Sequence, residues 1–212
     1  FATVLLVSNV ASTKLVVLGP FTFDGGTLLF PLAYIFGDVL TEVYGYRKSR
    51  RVIWIGFFGL LRATLTFQAV AHLPAPPDAE SQRFGEAFGL LLGLTPRIVL
   101  ESLLAYFLGE FANAYVLAKL KVRTEGRFFW LRALASTLVG QGLDTGVFLL
   151  VAFYGVFPKE VLLAVFLSNY AFKLGVEALM LPFTYAVVGF LKRAEGMDAY
   201  DRDTDFNPFR LT

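Results

Sequence analysis

Between residues 30 and 51 the chain reads FPLAYIFGDVLTEVYGYRKSRR, an apolar run that takes in two carboxylates, Asp38 and Glu42, before ending in a cluster of bases. A plain membrane span does not carry two acids. Four residues apart on a helix, these carboxylates share one face, with Tyr34 a turn before Asp38 and Thr41 beside it. The bland alternative is a soluble core helix with a solvated side, but the surrounding chain is too apolar for that. Of its 212 residues 56% are hydrophobic and only 17% charged, and the mean hydropathy is +0.62, a departure from soluble averages in the membrane direction. The stripe therefore reads as the lining of a cavity inside a membrane protein.

Other classes drop out on composition. The chain has no cysteine, which removes a disulfide framework, thiolate metal sites and cysteine nucleophiles. A net charge of +2 without a basic patch gives nucleic acid nothing to bind. The chain opens at Phe1 directly into an apolar segment, so part of the native N-terminus is expected to be missing, and a leader stays open.

The predicted fold class is all-α: a polytopic transmembrane domain over residues 1–196 and a polar tail over 197–212. Six transmembrane helices are predicted, at residues 1–18, 27–46, 52–73, 96–119, 128–154 and 159–191. Ser8, Asn9, Ser12 and Thr13 form a polar patch on the first, for interhelical hydrogen bonds or for a ligand. Residues 22–26 read as a Gly-rich turn, and Arg47, Lys48, Arg50 and Arg51 as a tight loop. Arg62 interrupts the third helix at its middle and requires a partner carboxylate. In the long connection over residues 72–95, Phe84, Ala87, Phe88, Leu91 and Leu92 recur at helical spacing, which predicts a short interfacial helix.

Glu101, Glu110 and Asn113 lie on the fourth helix. On the fifth, Thr137, Gly140, Gln141 and Asp144 share a face. On the sixth, Asn169, Lys173 and Glu177 follow at steps of four, and Pro182 is expected to kink or break the helix. The acidic tail is expected to be poorly ordered. Basic residues concentrate in the second and fourth connections and in the tail, including Lys119, Lys121, Arg123, Arg127 and Lys192, so the positive-inside rule puts both termini in the cytoplasm.

Asp38, Glu42, Glu101, Glu110, Asp144 and Glu177 thus face three intramembrane bases, Lys14, Arg62 and Lys173. Left facing lipid, each would cost about 2.5–3.5 kcal/mol, a sum on the order of 25 kcal/mol. That exceeds the whole stability of an ordinary domain. The charges must pair, protonate or line a wet cavity, with Arg62, Glu101 and Glu177 as candidates for ion pairing or coupling. The acidic surplus suits a cationic or donor-rich substrate, or protons. Enzyme chemistry fits worse: His72, the only histidine, sits at a span end without a metalloprotease spacing. An aspartyl dyad of Asp38 and Asp144 lacks the surrounding protease motifs. No catalytic residue, metal or cofactor is predicted.

The run FPLAYIFGDVLTEVYG with RKSRR after it, then FFWLRALASTLVGQGLDTGVFLLVAF, SNVASTK in the first helix and YAFKLGVEALMLPFTY in the sixth resemble the queuosine precursor transporter family, also called the vitamin uptake transporter family. The resemblance covers nearly the whole chain. It implies a six-helix, multi-pass protein of the bacterial inner membrane that imports 7-cyano-7-deazaguanine and 7-aminomethyl-7-deazaguanine. The residue inventory agrees with such a base: carboxylates accept its paired N–H donors, while amides satisfy the carbonyl and ring nitrogen. The candidate binding residues are Asn9, Tyr34, Asp38, Glu42, Gln141, Asp144, Asn169 and Lys173. Phe30, Tyr34 and Tyr170 are candidates to stack the ring, with core or lipid-facing packing as the alternative. The competing reading is a substrate-binding subunit of an ATP-driven importer, for which residues 114–118 offer a modest docking face. The expected partners are the small-molecule base and the lipid bilayer. A homodimer and coupling to ions or protons stay open.

Overall fold

The computed structural model describes residues 1–18, 21–93, 96–153 and 159–210. Helix α1 (Ala2–Ala11) leads into an antiparallel hairpin of β1 (Leu15–Leu18) and β2 (Phe21–Asp24), then a 3-10 turn (Gly25–Leu28). Six more helices follow: α2 (Phe30–Tyr44), α3 (Tyr46–Ala71), α4 (Ala79–Leu92), α5 (Pro96–Arg123), α6 (Phe129–Phe153) and α7 (Lys159–Glu195). The all-α class holds, and the hairpin is the departure from it. The first helix, expected to run to residue 18, stops at Ala11. Ser12 and Thr13 hydroxyls donate to the carbonyls of Ser8 and Val10 at 2.9 and 2.8 Å, the local side-chain bonding that competes with helix continuation. The β-branched and aromatic residues beyond, Val16, Val17, Phe21, Thr22 and Phe23, favour the extended ladder that pairs Leu15 with Asp24 and Leu18 with Phe21. The expected Gly-rich turn over residues 22–26 is accordingly strand up to Asp24.

Helix α2 takes Pro31 in its first turn, where a missing N–H costs nothing. It ends at Gly45, whose φ of 82° only glycine adopts without strain. Helix α3 starts immediately, so Arg47, Lys48, Arg50 and Arg51 form its opening turns rather than the expected loop. Bases at a helix N-terminus oppose its dipole. The compensation comes from far along the chain: the Asp201 carboxylate accepts from Tyr46 N at 2.9 Å, a cap supplied in trans along the sequence.

The helix expected in the long connection is present as α4, capped by Asp78, which accepts from Ser81 N at 2.8 Å. It packs on α3 through Phe88 against Phe67, centroids 6.3 Å apart, and leaves Phe84, Leu90 and Leu91 exposed. Helices α5 and α6 pack along most of their length. At their crossing, a Cβ on Gly140 would stand 2.8 Å from Asn113 Cβ and 2.9 Å from the Gly109 carbonyl oxygen. Pro182 lies inside α7 without ending it.

Three helices among the described residues are long and apolar enough to cross a membrane: Tyr46–Ala71, Val99–Arg123 and Phe166–Glu195. The outer faces of α3 and α7 expose Ile55, Phe58, Leu65, Leu179, Phe183 and Phe190, the surface a bilayer requires. Helices α1 and α2, of 10 and 15 residues, are shorter than the roughly 20 residues a straight span needs.

Of the tail over residues 197–212, expected to be poorly ordered, the described part to residue 210 is docked. Arg50 donates to the carbonyls of Asp205 and Asn207 at 2.8 and 2.6 Å, and the Trp54 indole N–H to that of Pro208 at 2.7 Å. Phe206 packs with its ring tilted against Tyr46, and Phe209 likewise against Trp54. The tail is acidic, as read, but its carboxylates and aromatics meet a basic and aromatic surface made by α3 and α5, which composition alone does not reveal.

Candidate functional site

A cavity of about 360 Å³ opens between α1, α2, α5, α6 and α7, within the volume range of small-ligand sites. On its walls Lys173 Nζ donates to Asp144 Oδ2 at 3.0 Å, both side chains mostly buried. Asn9, Tyr34, Asn169, Glu101 and Glu110 line it with them. Ser102 donates to Glu101 Oε2 at 3.1 Å. The Thr145 hydroxyl, on the same wall, is buried with no partner among the described residues. The site therefore presents three carboxyl groups, a cation and two amides across one small volume, a set that binds a polar molecule carrying both donors and acceptors.

One helical turn deeper lies a belt of buried polar groups. Asn113 Nδ2 donates to Asp38 Oδ1 at 3.0 Å, and the Thr137 hydroxyl to Glu177 Oε1 at 2.7 Å. Asp38 and Glu177 are themselves hydrogen-bonded side chain to side chain. Gln141, 1% exposed, has neither end of its amide satisfied among the described residues.

Deeper again, Glu42 anchors an ion cluster. Arg132 grips it with two nitrogens at 2.6 and 3.2 Å, Lys192 donates at 2.7 Å, and Lys121 lies at 3.6 Å. Asp198 of the tail bridges Lys121 and Lys192. Lys121 also donates to the Ala199 carbonyl at 2.8 Å.

The candidate residues thus fall on three levels. Asn9, Tyr34, Asp144, Asn169, Lys173 and Glu101 meet at the cavity. Asp38, Glu177 and Gln141 lie in the belt, and Glu42 in the ion cluster. Asp38 and Glu42 both face the interior at 1% exposure, but Glu42 is spent on cations rather than turned to the cavity. Arg62 stands on the exposed face of α3, and no described carboxylate pairs with it. Tyr170 stacks on Phe166 at 5.4 Å and donates to the Leu138 carbonyl; the side chain of Phe30 lies outside the described residues. Among the described residues no three His, Asp or Glu side chains converge as a metal site.

The bases that matter most were missed. Arg132, fully buried, sits inside the apolar run FFWLRALAST, where a lone charge signals a buried partner. Lys121 and Lys192 stand at helix ends and read only as topology markers. With these three cations engaged, the acidic surplus contracts to the cavity and belt.

Asp198 lies outside the membrane-spanning helices. Burial raises its carboxyl, but hydrogen bonds from Lys121 and Lys192 outweigh this and hold it below the usual aspartate value. A depressed carboxyl stabilises the fold above its unfolded value, ordinarily 3.8, and loses that contribution as pH falls through the folded one. The tail therefore stays docked at neutral and mildly acidic pH and loosens only below about pH 4. Trp54 fluorescence in a Trp130→Phe background reports this, and Asp198→Asn should remove the acid step. Release between about pH 5 and 7 would contradict it.

A family model described as "Putative vitamin uptake transporter" matches residues 24–187. A "Probable queuosine precursor transporter" of Bacillus subtilis (strain 168) is 36% identical over 188 residues, 88% of this chain and 80% of that protein. The "Queuosine precursor transporter" of Escherichia coli (strain K12) is 26% identical, over 77% of this chain and 71% of its own. A "Probable queuosine precursor transporter" of Haemophilus influenzae is also 26% identical, over 77% and 67%. No solved structure matches the chain. The family match takes in the cavity-lining stretches of α2, α5, α6 and α7, and with apolar helices that suit a bilayer, the chain is a membrane protein that belongs to the vitamin uptake transporter family.

Proposed function

We propose that the chain imports queuosine precursors, 7-cyano-7-deazaguanine and 7-aminomethyl-7-deazaguanine, across a bacterial inner membrane. The names of its relatives support the substrate class. The observation that carries the reading is the Asp144–Lys173 pair on the cavity wall, flanked by Asn9 and Asn169. A guanine-like edge places adjacent N–H donors beside a carbonyl acceptor. Asp144 accepts the former, Lys173 or an amide donates to the latter, and Tyr34 offers a flat face. The distribution of bases supports a multi-pass arrangement of six membrane-entering helices with cytoplasmic termini. The short α1 and α2 then enter the bilayer without each crossing it straight.

The test is binding of 7-cyano-7-deazaguanine to purified protein, with guanine, a flavin and biotin as controls, followed by uptake into liposomes without ATP. Asp144→Asn replaces a two-oxygen acceptor by a mixed amide, so one ligand N–H loses its partner. A buried hydrogen bond to a charged group contributes roughly 1.5–3 kcal/mol, which predicts a ten-fold to more than hundred-fold weaker Kd. Unchanged affinity in a variant with wild-type melting removes Asp144 from the site. Preference for a control rejects the substrate. Uptake that requires an ATP-driven partner turns the reading to a binding subunit.

A further inference from the structure

The cavity occupies one end of the bundle and the ion cluster the other. From Asp144 to Arg132 along α6 is 12 residues, roughly 18 Å at 1.5 Å per residue, and from Lys173 to Lys192 along α7 roughly 28 Å. Transport requires a route between them, and the intervening side chains are unusual. Thr137, Gln141 and Thr145 follow at steps of four on one face of α6. Thr145 touches the cavity and Thr137 bonds Glu177. Gln141 between them is buried with both polar ends unsatisfied, and Asn113 Oδ1 beside Asp38 is unsatisfied as well. Burying such groups without partners is costly, so natural folds keep few of them. An amide offering a donor and an acceptor, one helical turn from the Thr137 that bonds Glu177, is the same chemistry that the cavity presents.

Beyond this belt the way is shut. The Glu42 cluster ties α2, α5, α6 and α7 together, and Asp198 ties the tail to two of its cations. The tail is fastened further by Ala199 N to the Val43 carbonyl at 3.0 Å and by Asp201 at the start of α3. A strap from the end of α7 therefore crosses the closed end and bolts helices that must separate if a solute is to leave there.

Resting on the transport reading above, we propose that Gln141, with the Asp38–Glu177 pair, forms an inner binding station for the same donor- and acceptor-bearing base. The Glu42 cluster, pinned by the tail, is the gate that holds this station shut. Occupancy of the station replaces the missing partners of Gln141, and release of Asp198 removes the second carboxylate that bridges Lys121 and Lys192, leaving Glu42 alone to hold them together.

The chain has no cysteine, so a single one can report on the route. Ser136, fully buried one turn from Arg132, is the reporter position. A membrane-impermeant maleimide is applied from the tail side to the full chain carrying Ser136→Cys in proteoliposomes. Adding Asp198→Ala, which removes the contacts to both Lys121 and Lys192, should speed labelling by roughly ten-fold or more in a two-state equilibrium. Asp198→Glu should leave it slow. Saturating 7-cyano-7-deazaguanine should slow labelling in the Asp198→Ala background, and Gln141→Leu, in a variant with unchanged melting, should abolish that protection.

Labelling indifferent to Asp198→Ala overturns the gate. Equal acceleration at Leu117→Cys, in the apolar core, shows general loosening and overturns it too. Protection that survives Gln141→Leu overturns the station. Failure of the wild-type protein to bind the base, measured separately, would reject the substrate while leaving the gate's response to Asp198→Ala intact.

Discussion

Glu42→Ala destabilises the protein by about 3–5 kcal/mol, the cost of breaking a buried ion pair by removing one partner. Its carboxylate takes two nitrogens of Arg132 and one of Lys192, and the Arg132 and Lys121 side chains are 1% and 2% exposed. Without it, Arg132 keeps only the carbonyls of Gly126 and Arg127, at 3.0 and 3.1 Å, and a full charge remains in a dry site. The detergent-solubilised variant should lose monodispersity and melt well below wild type. Arg132→Met combined with Glu42→Ala should recover most of the loss, because replacing a whole buried pair by apolar groups is often nearly neutral. A single variant as stable as wild type would mean that the cluster is not holding the four helices together.

Gly140→Leu is expected to be of similar severity for a different reason. Even a Cβ at this position would stand 2.8 Å from Asn113 Cβ and 2.9 Å from the Gly109 carbonyl oxygen, and neither atom is the end of a flexible chain. Helices α5 and α6 would have to part along the interface that places Asp144 opposite Gly109. The cost lies at or above the top of the range for overpacking, upwards of about 3 kcal/mol. Ligand binding should fall with stability, since separating the helices moves Asp144 from the cavity wall. Gly142→Ala, where the nearest atoms are 3.8 Å away, is the internal control and should be close to neutral. Equal melting temperatures for the Gly140 and Gly142 variants would show that the close crossing does not hold in solution.

The two sites mark where reading residues in order succeeds and where it fails. The face shared by Thr137, Gly140, Gln141 and Asp144 was legible, because spacing along a helix sets direction around its axis. So was the short helix α4, from its apolar period and the prolines before it. The hairpin was not, because residues 15–18 continue the apolar segment before them, and a short apolar run reads equally well as helix or strand. Docking of the tail was invisible for another reason: Asp198, Asp201 and the aromatics Phe206 and Phe209 read as a solvated acidic segment until their partners are placed beside them.

The membrane class, the family and the interior carboxylates of α2 and α5 were legible in the sequence alone. Hydropathy and the cost of charge in lipid are local properties, and they survive any arrangement of the helices. Which group answers which is a property of the packed bundle. Asp38 and Glu42 are one turn apart and equivalent in the sequence, yet one bonds Asn113 a turn below the cavity and the other is clamped by Arg132 and Lys192, which lie 90 and 150 residues away. The distance from a carboxylate to its counter-charge depends on how α5, α6 and α7 cross α2. That crossing is set by contacts such as Gly109 on Gly140, which no spacing within a single helix encodes.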